Sequence, residues 1–170
     1  MPASTRVKVI DFGGATYDDD AHKSTIVNTR QYRAPEVILE LGWSYPSDLW
    51  SAGCIIAELY MGDLLFATHN NAEHLALMER GLEPFPREML ARSRVAPRFF
   101  DVGAGQSRWR KELDKESQRH VRRQPRLEEV FARHRDTGIV ELVAGLLEID
   151  PKRRLSARRA LGLPFFQQRQ

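Results

Sequence analysis

The chain has 170 residues, 42% of them hydrophobic and 29% charged, with a single cysteine. That length makes one domain able to bury about 70% of its unfolded surface, and the composition excludes a membrane protein, a disulfide-stapled mini-protein and wholesale disorder. The net charge of +3 is uneven: residues 1–86 carry 6 basic and 12 acidic side chains, residues 87–170 carry 20 and 11, and 21 of the 26 basic residues are Arg. Such a tail can meet phosphates through guanidinium forks or nucleic acid through counterion release, although most Arg-rich surfaces are simply solvated. The first residues lack the apolar core of a signal peptide and no run approaches 18 apolar residues, so an intracellular protein is expected, with Cys54 as a buried, inert thiol.

In chain order, Val7-Lys8-Val9-Ile10 predicts a short strand that delivers Asp11 into the turn Asp11-Phe12-Gly13-Gly14. Residues 16–33 show no apolar period and read as a long loop, with the solvated acidic run Asp18-Asp19-Asp20 and with His22, Lys23 and several hydroxyls. Ser47 and Asp48 open a predicted helix over 47–61 that is apolar nearly all round, as suits the middle of a domain. Asn70, with Glu73 three places on, predicts a capping box for a helix running to Gly81, with Leu75, Met78 and Leu82 as its buried stripe. The proline- and charge-rich stretch 84–136 yields only short helices at 87–92 and 127–134. Ile139, Leu142, Val143, Leu146 and Leu147 then form an amphipathic stripe capped by Asp136 or Thr137, ended by Asp150-Pro151, and Ser156 caps a last short helix.

Two motifs in order carry the chemistry. Asp11-Phe12-Gly13 follows the predicted strand, and Ala34-Pro35-Glu36 follows 21 residues later, with a hydroxyl-rich loop between. Together they resemble the activation segment of protein kinases, whose Asp ligates Mg²⁺ bridging ATP phosphates; a carboxylate suits a hard, oxygen-seeking ion. Ser47-Asp48-Leu49-Trp50-Ser51-Ala52-Gly53 resembles the start of the central C-lobe helix. Asp150-Pro151-Lys152-Arg153-Arg154-Leu155 is similar to the final motif, whose Arg, here Arg154, pairs with the Glu of the second motif, here Glu36. Arg153 is the fallback partner. Glu73-His74-Leu75-Ala76-Leu77-Met78-Glu79-Arg80 resembles the signature of the LAMMER, or CDC-like, kinases, with Leu77 in place of one Met. Ser24-Thr25-Ile26-Val27-Asn28-Thr29-Arg30-Gln31-Tyr32-Arg33, Glu40-Leu41-Gly42-Trp43 and Leu163-Pro164-Phe165-Phe166 match in support.

The resemblance implies a mainly α fold, the C-lobe of a kinase without the N-lobe and catalytic loop, over residues 1–170. It divides into a metal-binding and activation segment (1–36), the central and LAMMER helices (37–83), a family insert (84–136) and C-terminal helices (137–166). It implies cofactor contacts at Asp11, Phe12 and Gly13 with Asp11 as metal ligand. Ser24, Thr25, Thr29, Tyr32 and Arg33 make up the activation segment, with Ser24 or Thr25 as phosphosites facing Arg30 or Arg33, and Thr29 as the substrate-loop Thr. Glu36, Asp48 and Arg154 are structural. The Gly-rich loop, the Val-Ala-Ile-Lys strand and the His-Arg-Asp-x-x-x-x-Asn loop do not occur in these 170 residues, so the catalytic Asp base is not encoded here. The expectation is a truncated product or incomplete gene model.

The activity implied is transfer of the ATP γ-phosphate to Ser, Thr and Tyr of Ser/Arg-rich splicing factors in the nucleus, with ATP and Mg²⁺ in the full-length family and neither held tightly by this chain alone. No membrane partner is expected. The alternative is a non-catalytic module that binds splicing-factor substrates or a full-length kinase. A third reading, RNA binding through Trp109 amid Arg108, Arg110 and Lys111 with Arg119, His120, Arg122 and Arg123 beyond, ranks below a solvated kinase insert. His74 has Met78 rather than a second ligand one turn on, which argues against a metal.

Overall fold

The structure is a computed structural model and describes residues 4, 6–20, 24–101, 108–109, 113–132 and 137–167. It is helical, and among the described residues the only sheet is the antiparallel pair β1 (Phe100–Asp101) and β2 (Arg108–Trp109), with Phe100 opposite Trp109. The strand expected at 7–10 does not form; Val7, Val9 and Ile10 are 90%, 78% and 77% exposed. Branched residues favour a strand through packing on cross-strand neighbours, and no described segment pairs with this run.

The core gathers around two helices. Helix α1 (Pro35–Ile38) starts on a proline at its first position, where the missing N–H costs nothing, and all four of its residues are buried. Helix α2 (Tyr45–Met61) opens two residues earlier than Ser47, with Ser44 as its N-cap residue and Pro46 in the first turn. The Ser47 hydroxyl donates to the Ser44 carbonyl at 2.9 Å. The helix stops at Gly62, whose left-handed φ of 78° lets its N–H reach the Glu58 carbonyl at 2.7 Å.

Trp50, Cys54 and Ala57 lie on the inward side of α2. Gly53 brings helix α7 (Thr137–Leu146) into contact, since a Cβ there would sit 3.0 Å from Leu146 Cβ and from Leu147 Cδ2. The opposite side of α2 is apolar but open: Tyr45, Ile55 and Leu59 are exposed. A helix apolar all round is therefore not buried all round. The Cys54 thiol is pushed well up in pKa by burial and stays protonated, as an inert packing group.

Helix α3 (Asn71–Gly81) follows its predicted bounds. The Asn70 side chain accepts the Glu73 N–H at 2.8 Å, which is half of the expected capping box. The other half is missing because the Glu73 carboxylate accepts the Thr68 hydroxyl instead, also at 2.8 Å. Leu75 and Met78 are buried as expected and Leu82 is half-buried, but Glu73, His74, Ala76 and Leu77 are enclosed too, so α3 has core on most of its circumference.

Helix α4 (Arg87–Arg92) matches its prediction. Helix α5 (Lys115–Arg123) was not predicted; Asp114 caps it, accepting the Glu116 and Ser117 N–H groups at 2.9 Å each. Helix α6 (Leu127–Phe131) is shorter than the expected 127–134, with Ala132 already in a turn and 133–134 outside the described residues. Of the two caps proposed for α7, Asp136 lies outside the described residues. Ser156 caps helix α8 (Ala157–Ala160) through the Arg159 N–H at 3.4 Å, and an unpredicted helix α9 (Pro164–Gln167) follows. Among the described residues no helix is long and apolar enough to cross a membrane.

Candidate functional site: the 11–36 segment and its anchors

Asp11 adopts a left-handed backbone, φ 63° and ψ 62°, a conformation that Asp tolerates better than most side chains. It leads into a tight 3-10 turn over Phe12–Gly14, closed by the Ala15 N–H on the Phe12 carbonyl at 3.0 Å. Asp11, Phe12 and Gly13 are all exposed. Mg²⁺ is held by one or two carboxylates together with substrate phosphates and water, and the Asp11 oxygens have the right chemistry for one such ligand. The described residues hold no cluster of three or more His, Cys, Asp or Glu suited to a metal. They supply one carboxylate and not a complete metal–nucleotide site, so no step is routed through the ion. Asp18, Asp19 and Asp20 are exposed, and Asp20 accepts the Thr16 hydroxyl at 2.9 Å; His22 and Lys23 lie outside the described residues.

From Ser24 onward the segment is fastened down. The Ser24 hydroxyl donates to the Ile26 carbonyl at 2.8 Å, and the Ser24 carbonyl accepts the Trp43 indole N–H at 2.7 Å. Arg33 donates through Nε to the Val27 carbonyl and through Nη2 to the Asn28 carbonyl, both at 2.9 Å. Arg30 Nη1 donates to Asn71 Oδ1 at 2.5 Å. Both guanidiniums thus donate to carbonyl-type acceptors, and Ser24 and Thr25 are exposed beside Trp43. Thr29 is exposed, and its carbonyl accepts the Tyr32 N–H at 2.9 Å, which starts the 3-10 turn Arg30–Tyr32.

Tyr32 anchors that turn to α2. Its hydroxyl donates to Glu58 Oε2 at 2.6 Å, and its carbonyl accepts the Ser51 hydroxyl at 2.9 Å. The bond to Glu58, then burial and the Glu58 charge, raise the phenol pKa, so Tyr32 stays a donor. Neither Glu58 nor Ser51 was singled out from sequence. Their seven-residue spacing, two helical turns, puts both on one face of α2 and is the signal that could have found them.

The two ends of the segment's framework meet at Glu36 and Arg154, as expected. Arg154 Nη1 and Nη2 donate to Glu36 Oε1 and Oε2 at 2.6 and 2.9 Å across 118 residues of sequence. Further bonds run to the carbonyls of Pro46 at 2.8 Å, Glu148 at 2.9 Å and Ile149 at 3.2 Å. The guanidinium also lies 5.1 Å over the Trp50 ring. Arg153, the fallback, has an exposed side chain and pairs instead with the half-buried Glu148 at 3.2 Å. Asp48 is exposed in the first turn of α2, where a carboxylate favours the positive helix end.

The unpredicted α5 borders an open groove of about 840 Å³ whose other walls are Gln31 and the loop around Thr68 and Asn70. Arg119, His120 and Arg123 line its α5 side. Of the residues behind the RNA-binding reading, Arg110 and Lys111 lie outside the described residues.

The protein kinase domain family profile matches residues 1–166. The chain is 47% identical over 174 residues to Serine/threonine-protein kinase AFC2 of Arabidopsis thaliana, covering 99% of this chain and 40% of that protein. It is 46% identical over 169 residues to Dual specificity protein kinase CLK2 of Homo sapiens, covering 96% of this chain and 32% of that one. For Dual specificity protein kinase lkh1 of Schizosaccharomyces pombe the identity is 45% over 168 residues, with 97% and 24% covered. The crystal structure of the PF14_0431 kinase domain matches with a TM-score of 0.88 at 40% identity, over 96% of this chain and 48% of that chain. The chain therefore spans less than half the length of these relatives. With the Glu36–Arg154 pair and the Glu73–Arg80 signature in place on a helical kinase fold, the chain belongs to the protein kinase family, and within it to the LAMMER type.

Proposed function

We propose that these residues are the substrate-positioning half of a LAMMER-type kinase, which transfers the ATP γ-phosphate to Ser, Thr and Tyr hydroxyls of Ser/Arg-rich splicing factors in the nucleus. The observation that carries this reading is the anchoring of residues 29–33. Tyr32 is bound to Glu58 and Ser51, Arg30 to Asn71, and the Glu36 that follows is held by Arg154. Phosphoryl transfer is catalysed by positioning and charge stabilisation rather than by covalent chemistry, and the anchoring of residues 29–33 supports a role as a rigid platform for the acceptor peptide.

By the same reasoning, the 170 residues alone are inactive. They contain no Gly-rich loop, ATP-positioning Lys or catalytic Asp base, and loss of a general base alone is worth about 10²–10⁴-fold. Without an adenine pocket, ATP should bind more weakly than about 1 mM. Phosphate incorporation into a Ser/Arg-rich peptide with Mg-ATP is the test. The chain alone should be silent, the chain fused behind the first half of human CLK2 should turn over, and Asp11→Ala in the fusion should abolish turnover. A folded fusion with no activity would sink the reading, and Asp11-dependent turnover by the chain alone would overturn its inactivity. Peptide binding without turnover in the fusion would point to the non-catalytic alternative.

A further inference from the structure

The loop that joins α2 to α3 is gripped from two sides. On one side is α5: His120 Nε2 lies 2.7 Å from the Ala67 carbonyl oxygen, and because a carbonyl only accepts, Nε2 carries the proton. The Gln124 amide just past the end of α5 donates to the Leu65 carbonyl at 3.1 Å and is buried. Gln124 lies flat over Gly81 of α3, where a Cβ would come within 3.4 Å of its Cγ and Nε2. On the other side is the 29–33 segment. Gln31 Nε2 donates to the Thr68 carbonyl at 3.4 Å, and Arg30 reaches Asn71. Thr68 cannot drift on its own, since its hydroxyl is tied to Glu73 at 2.8 Å.

We propose that α5 is a positioning element for the substrate segment, with His120 and Gln124 acting through the 64–70 loop on Gln31 and Arg30. The carbonyls of residues 65 and 67 are drawn toward α5 and that of residue 68 toward the substrate segment, so the loop is a short strut between them. Removing Gln124 leaves the buried Leu65 carbonyl without its partner, and removing His120 hands the exposed Ala67 carbonyl to water; either way the loop loses a tether to α5. Thr68 and Asn71 then shift away from the atoms they hold. The insert, which sequence reading leaves as charged text, thereby sets how firmly the peptide platform is held. The inference rests on residues 29–33 being that platform.

Amide hydrogen exchange on the 170-residue chain tests the strut directly. The Tyr32 and Arg33 N–H groups close the 3-10 turn on the Thr29 and Arg30 carbonyls. His120→Ala and Gln124→Ala should each speed their exchange about 5-fold, the factor that one lost hydrogen bond is worth. His120→Gln, which restores a donor, should return it to the starting rate, and Arg122→Ala on the exposed side of α5 should change nothing. Amides of α7 should be unmoved throughout. In the fusion behind the first half of human CLK2, the same variants should raise KM for the peptide with kcat unchanged. Faster exchange in 64–70 with Tyr32 and Arg33 unaltered would overturn the proposal. Should Gln124→Ala loosen the whole domain, α7 included, the His120→Ala and His120→Gln pair decides alone. Exchange needs no substrate, so a silent fusion with altered exchange would refute the proposed function and leave the strut standing.

Discussion

Arg154→Ala should cost about 3–5 kcal/mol of folding free energy, the range for breaking a buried ion pair from one side. The Glu36 carboxylate is 2% exposed, and it would lose both of its guanidinium bonds at once. Three backbone carbonyls, those of Pro46, Glu148 and Ile149, would lose a donor in the same step, and the face of Trp50 would lose the cation above it. For a domain of this size that is a fall in Tm of roughly 6–20 °C. Arg154→Lys should recover little, because an ammonium is a point charge and cannot serve two carboxylate oxygens and three carbonyls from a planar fork. Urea denaturation of the wild type and both variants measures this, and an unchanged midpoint for Arg154→Ala would contradict it.

Stability should also fall steeply below neutral pH, with His74 as the cause. Its ring is fully enclosed next to Phe66, at a centroid distance of 5.8 Å, and neither nitrogen has a partner among the described residues. Burial, and then the nearby Arg30 and Arg33 charges, lower its pKa from 6.5 to about 3. Above pH 6.5 the imidazole is neutral in both folded and unfolded chains and contributes no slope. Between 6.5 and about 3 the unfolded chain takes up a proton that the folded one refuses, which removes about 1.4 kcal/mol per pH unit. From pH 7 to pH 5 the loss is about 2 kcal/mol from this residue alone. His74→Leu, similar in volume and unable to titrate, should flatten the profile over that window. An equally steep profile in the variant would assign the acid sensitivity to other groups.

How legible the molecule was depended on whether a signal was local. The Asn70 cap, the 71–81 helix and the Ser156 cap are matters of a few adjacent residues, and they stand where the sequence reading put them. Glu36 and Arg154 were found through family resemblance, since nothing local links two residues 118 apart. Helix α5 was missed because it has almost no inward face: Ser117 is its one buried residue and Val121 is half-buried. An apolar period could not announce it, although Asp114 with Ser117 three places on was a readable cap. The 7–10 strand failed in the opposite way. Its residues prefer extended backbone, but a strand is a property of two segments, and no described segment supplies the second. His74 looked like an unremarkable helical residue because enclosure of the polar side of α3 depends on Phe66 and the 64–70 loop.

The long reach of Arg154 also bears on how the domain comes apart. Its bonds to Glu148 and Ile149 span 6 and 5 residues, whereas those to Glu36 and Pro46 span 118 and 108. The short ones can form as soon as the chain turns at Asp150. The long ones must wait until both ends of the domain are in place, since distant contacts repay the entropy of loop closure only late in folding. A contact made after the rate-limiting step leaves the folding rate alone and slows unfolding. A pair formed that late acts as a kinetic latch, setting how long the Glu36 end of the 29–36 segment stays anchored more than how quickly it is assembled.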